Sequence, residues 1–203
     1  MTVAVSIERR SGGLDQDRAG CWCANDRCVF ALADGAGGTA GGTRAAEQML
    51  REAQALHTRI HRSPMDALDA AELALSRLGG QSTGIVVELS GGFLLGASAG
   101  DSRAWLLGDV IVELTRLQRR RPLIGDGALP VAFGPLPFRE RLLIASDGLF
   151  DYAHAGAIVH TARDGDLASC ARALVELPRL ADGSYPDDVA VVLAEACADA
   201  QQP

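Results

Sequence analysis

The stretch T-G-I-V-V-E-L-S-G-G-F-L-L-G-A-S-A-G-D-S-R-A-W-L-L-G-D-V-I-V-E-L, residues 83–114, decides the architecture. It holds four closely spaced runs of β-type residues, at 83–89, 93–99, 104–107 and 110–114. Ser90-Gly91-Gly92 and Gly108-Asp109 link two pairs of them and predict antiparallel hairpins. Parallel strands would need a crossover of about a dozen residues or more.

Working outward toward the N-terminus, residues 2–7, 20–24 and 28–33 read as short strands. Asn25-Asp26 is a two-residue turn signal that sets Cys23 opposite Cys28. Residues 41–58 carry apolar positions at helical spacing, among them Ala45, Met49 and Leu56. Ser63 then supplies a helix N-cap with Pro64 at the first helical position, and Gly79-Gly80 stops that second helix. Toward the C-terminus, residues 116–139 show little periodicity and read as a loop or lid. Residues 142–145 form a strand, 167–177 a helix and 189–194 a closing strand. Strands, two helices, strands, helix, strand is an α+β domain with a mostly antiparallel sheet. No repeat or linker divides residues 1–203, so one domain is expected.

The chain has 203 residues with 26 acids against 19 bases, and every base is arginine. Lysine chemistry is therefore excluded: no Schiff base, no P-loop lysine, no kinase strand lysine. The net charge of -7 argues against a nucleic-acid surface. The first residues lack the apolar core of a signal peptide, and apolar stretches stop at roughly ten residues, short of the ~20 of a membrane span. Five cysteines in a chain of this size suggest free thiols and a cytoplasmic protein. Cys21, Cys23 and Cys28 lack the spacing and fourth ligand of a zinc site, and small strand residues explain them better.

Carboxylates recur at the ends of apolar runs. V-F-A-L-A stops at Asp34-Gly35, L-L-G-A-S-A-G at Asp101-Ser102, and L-L-I-A-S at Asp147-Gly148. Asp187-Asp188 stands instead at the start of V-A-V-V-L. If that strand runs antiparallel to its neighbours, all four sites meet at one rim. Aspartate followed by glycine or serine is also a common turn signal. Four such sites in one small domain call for a cation, because converging carboxylates repel and resist desolvation. An oxygen-only set suits Mg2+ or Mn2+ better than zinc.

Other patterns carry less. G-A-G-G-T-A at residues 35–40 has dinucleotide-type spacing, yet two helices follow it and the required βαβ unit is absent. Residues 37–43 have Walker-like spacing without the lysine. His57 and His61 stand four apart but lack the metalloprotease glutamate. Ser146 is not in a nucleophile elbow. Arg119-Arg120-Arg121 could meet an acidic or phosphorylated partner, but a solvated loop face is the default reading.

Taken together, these residues resemble the metal-dependent serine/threonine protein phosphatases of type 2C. L-D-Q-D-R at 14–18, A-L-A-D-G-A-G-G-T-A-G-G at 31–42, Q-S-T-G-I-V-V at 81–87, A-G-D-S-R-A-W-L at 99–106, I-A-S-D-G-L-F-D at 144–151 and P-D-D-V-A-V-V at 186–192 follow the family's order of motifs. The resemblance implies a four-layer α-β-β-α sandwich and hydrolysis of phosphoserine and phosphothreonine in proteins by water held between two metal ions. Those ions, Mn2+ or Mg2+, would be held by Asp34, the Gly35 carbonyl, Asp147 and Asp187, with Asp17 ordering water. Asp101, Asp147 and Asp151 match a third, weaker metal position. The implied partner is a phosphoprotein substrate opposing a serine/threonine kinase, with no nucleic acid or membrane and a monomeric enzyme. Three departures stand out. The family's phosphate-binding arginine falls on Gly12, leaving Arg10, and Arg9 behind it, as the substitutes. The motif glutamate is Gln16 and the last motif's asparagine is Asp188. A catalytically weak module that binds phosphoproteins is the alternative these departures raise.

Overall fold

A computed structural model describes residues 2–36, 40–60 and 62–197. The G-A-G-G-T-A pattern, the Walker-like spacing and the His57/His61 pair therefore lie partly outside the described residues. In chain order the elements are β1 (Val3–Arg10), β2 (Arg18–Ala24), β3 (Arg27–Ala33), β4 (Gly35–Ala36), α1 (Ala40–His57) and α2 (Pro64–Leu78). There follow β5 (Gln81–Ser82), β6 (Gly84–Ser90), β7 (Phe93–Ala99), β8 (Arg103–Leu107), β9 (Ile111–Glu113) and β10 (Val131–Pro137). The chain closes with β11 (Arg141–Ala145), α3 (Asp147–Phe150), α4 (Ala155–Arg163), α5 (Leu167–Glu176) and β12 (Val189–Ala196).

Two five-stranded antiparallel sheets form, in the orders β1-β12-β11-β8-β9 and β10-β7-β6-β3-β2. Alternation along β3 shows how they stack. Val29 and Ala31 face α1 and α2, where Met49 and Leu68 meet them. Phe30 and Leu32 face the other sheet and pack with Ile85, Leu142, Ile144 and Val192. On the far side of that sheet, Leu143 and Val191 pack against Ile158 of α4 and Leu174 of α5. Both sheets are thus buried on two faces, which is why their strands read as continuous apolar runs. The result is the four-layer α-β-β-α sandwich.

This stacking delivers the carboxylates to one end. β3 and β7 both lie antiparallel to β6, so Asp34 and Asp101 leave their strands at the same edge. β11 runs antiparallel to β12, so Asp147 after one strand and Asp187 before the other share an edge too. The rim belongs to two facing sheets rather than the single sheet the strand pattern suggested.

Several elements differ from expectation. Residues 131–137, read as loop, form edge strand β10 on β7, with a bulge between Phe133 and Leu136. Its prolines hid it, although an edge strand at a bulge tolerates them. Helices α3 and α4 were also missed; no side-chain hydrogen bond caps either one. The β2–β3 hairpin forms as expected, with Asn25 at the left-handed φ of 55°. Its paired Cys23 and Cys28 are joined in a disulfide, however, and not free thiols. Their directly opposed positions bring the Cα atoms to 4.1 Å, within reach of a bridge. Among the described residues no helix is long and apolar enough to cross a membrane.

Candidate metal centre

Each rim carboxylate is fixed by its local backbone. The Asp34 N–H donates to Thr83 Oγ1 (3.0 Å), and its carbonyl accepts from the Thr83 N–H (2.8 Å) and the Ser82 hydroxyl (2.9 Å). Thr83 Oγ1 also lies 2.8 Å from Ser102 Oγ, which ties the turn at Asp34 to the turn at Asp101. A side chain at Gly35 would collide with the Gly42 carbonyl in α1, so the glycine after Asp34 is required for close packing. Gly148, after Asp147, meets the same limit against the Asp188 carbonyl. Ser146 closes the corner by accepting the Ala190 N–H at 2.9 Å.

Asp34, Asp101 and Asp147 each present a carboxylate oxygen within 4.8 Å of the other two. Asp17 stands beneath them, 2% exposed, with neither carboxylate oxygen in a hydrogen bond among the described residues. Asp34 and Ser146 lie beside it without hydrogen-bonding geometry. Burial, then the charges of neighbouring aspartates, pushes the Asp34 carboxyl up to about 8. The same causes push Asp17 and Asp147 up to about 7. Four crowded carboxyls, three of them with oxygens turned toward one space, are an unfavourable arrangement without a cation. An all-oxygen donor set of this kind fits Mg2+ or Mn2+.

The remaining candidates take different places. Asp187 is exposed at the rim and near enough to raise the pKa of Asp34 and Asp147, while its Oδ1 accepts the Asp188 N–H at 2.8 Å. Asp151 lies farther out and pairs with Arg103 (3.5 Å) and Arg120 (3.7 Å). Arg9 and Arg10 point to opposite faces of β1. Arg9 faces inward, where Nη1 donates to the Asp17 carbonyl at 2.6 Å. Arg10 turns to the helix layer and pairs with Glu176 of α5 at 2.8 Å, which raises its already high pKa. Arg9 thus reaches the Asp17 main chain and the exposed Asp15 carboxylate (3.3 Å), whereas Arg10 is engaged by Glu176.

Two of the motif departures are linked in the structure. Asp188 is buried and accepts the Gly12 N–H (2.6 Å), the Gln16 N–H (2.6 Å) and the Ser11 hydroxyl (3.2 Å). It holds the 11–16 turn rather than facing the rim. Gly12 lies so close to the Asp187 backbone that any Cβ would collide with it, so no arginine can stand there.

No family model and no curated protein matches the chain. Solved structures do match. The Mycobacterium tuberculosis serine/threonine phosphatase PstP/Ppp superposes with a TM-score of 0.78 at 24% identity, covering 96% of this chain and 99% of that one. The fold is that of bacterial serine/threonine phosphatases. The Staphylococcus aureus serine/threonine phosphatase Stp1 gives a TM-score of 0.78 at 18% identity, covering 98% of this chain and 96% of that one. The catalytic domain of PstP in complex with two manganese ions gives 0.77 at 24% identity, covering 96% and 99%. Near-complete coverage in both directions means that this phosphatase fold accounts for the sandwich and both helix layers.

Proposed function

We propose that the protein is a Mg2+- or Mn2+-dependent phosphatase acting on phosphoserine and phosphothreonine in proteins. The observation that carries this reading is the convergence of Asp34, Asp101 and Asp147 beside the buried Asp17, whose carboxylate makes no hydrogen bond among the described residues. Asp34, the Gly35 carbonyl, Asp147 and Asp187 would hold two ions. When bound, such ions lower the pKa of water and neutralise charge on phosphoryl oxygens, which supplies both nucleophile and electrostatic stabilisation. Asp17 would order water at the centre, and a bound cation would favour its ionised form despite its burial. Arg9 would bind the substrate phosphate; its bond to the Asp17 main chain (2.6 Å), against the Glu176 pair of Arg10, supports this choice. The substrate would be a phosphoprotein made by a serine/threonine kinase. Hydrolysis of an aryl phosphate in Mn2+ tests the assignment. Asp34→Asn and Asp147→Asn should each lose ~100-fold or more, and turnover equal to wild type would overturn the metal centre.

A second reading, a phosphoprotein-binding module of low activity, is favoured by one observation: the closed backbone at Gly12 excludes an arginine. Thermal stabilisation by Mn2+ without turnover of any phosphopeptide would select it over the enzyme.

A further inference from the structure

Asp101 and Asp151 are neutralised from within the chain. Arg120 Nη2 lies 3.3 Å from Asp101 Oδ2 and 3.7 Å from Asp151 Oδ2, bridging the two carboxylates. Arg103 Nη2 lies 3.5 Å from the other oxygen of Asp151, so both oxygens of that carboxylate are in ion pairs. These guanidinium groups are held in place. Arg103 stacks over the Phe150 ring, 5.0 Å from its centroid, on the residue just before Asp151. Arg120 sits in a loop fastened to both sides of Asp101: the Gly100 N–H donates to the Arg119 carbonyl (3.1 Å), and Gln118 Nε2 donates to the Ser102 carbonyl (2.6 Å). A divalent ion placed between Asp101 and Asp151 would need the carboxylate oxygens that Arg120 holds, and would meet its positive charge at ion-pair distance.

We propose that Arg120 takes the place of a third divalent cation at Asp101 and Asp151, so that this chain's centre holds two ions and one guanidinium. The inference rests on the metal-centre reading above. It gives the R-L-Q-R-R-R segment a task beyond a solvated loop face: a positive charge beside the carboxylates that does not depend on the metal supply.

The test is the number of Mn2+ ions bound per chain, read from the electron paramagnetic resonance of free Mn2+ during titration of metal-stripped protein. Wild type should bind two. Arg120→Gln should bind a third, more weakly, while the neighbouring Arg119→Gln should stay at two. The Arg120 side chain is 65% exposed, so its replacement leaves the fold intact. Three ions in wild type, two in Arg120→Gln, or a third ion in Arg119→Gln would each overturn the proposal while leaving the metal centre standing. Failure of wild type to bind Mn2+ at all would overturn the metal centre itself.

Discussion

In the absence of divalent cations, the stability of this protein should fall as the pH rises through neutrality. Asp34 is the clearest source, because its carboxyl is moved from 3.8 to about 8 in the folded chain. A carboxyl whose folded pKa is raised contributes stability that is complete below the unfolded value and is lost as pH climbs through the folded one. At pH 6 the folded carboxyl is protonated and the unfolded one ionised, so unfolding releases about one proton. At pH 8 the folded carboxyl is half ionised and the release drops to about half a proton. Integrated over that interval at 1.36 kcal/mol per pH unit, Asp34 alone costs about 2 kcal/mol. For a chain of this size that is a melting shift of about 4–8 °C. The assay is thermal unfolding followed by circular dichroism in EDTA at pH 6, 7 and 8, on wild type and Asp34→Asn. Wild type should melt lower at pH 8 than at pH 6, and Asp34→Asn should show a smaller drop and melt higher than wild type at pH 8. Saturating Mn2+ should remove most of the wild-type slope, with its largest gain at pH 8. Equal slopes in the two proteins, or a wild type that is less stable at pH 6, would refute the reasoning.

Other consequences are open to simple measurement. Gly12→Ala should lower stability in urea by about 1–3 kcal/mol, since the new Cβ meets the Asp187 backbone. Arg9→Ala should raise KM for a phosphopeptide about tenfold, whereas Arg10→Ala should leave KM within about twofold and cost stability through the lost Glu176 pair. Glu72 of α2 accepts the N–H groups of Gly125 (2.7 Å), Gly127 (2.9 Å) and Ala128 (3.2 Å). Glu72→Ala should therefore cost about 1–3 kcal/mol in chemical denaturation and loosen the segment leading into β10.

Much of the rim could be read from residue order alone, because each aspartate ends or begins an apolar run and strand direction does the rest. α2 was readable for a local reason: Ser63 accepts the Asp66 N–H and Pro64 begins the helix. What stayed hidden depends on contacts distant in sequence. β1 pairs with β12 across nearly the whole chain, and the strand pattern alone does not show which strands go to which of the two sheets. The choice between Arg9 and Arg10 is a matter of strand register, since a one-residue difference exchanges the rim side for the helix side. Gly12 and Asp188 looked like losses from the motif pattern. In the structure they are one arrangement, a tight turn whose N–H groups are held by a buried carboxylate. The turn already set Cys23 opposite Cys28, but the free-thiol reading did not follow from it, because directly opposed cysteines on a hairpin are within reach of a bridge.

The central claim is tested most directly by following phosphate release from a phosphothreonine peptide as Mn2+ is added back to metal-stripped protein. The account predicts no turnover in EDTA and turnover that rises with Mn2+ until the carboxylate sites are filled. Release at the same rate in EDTA, or none with Mn2+ bound, would contradict it.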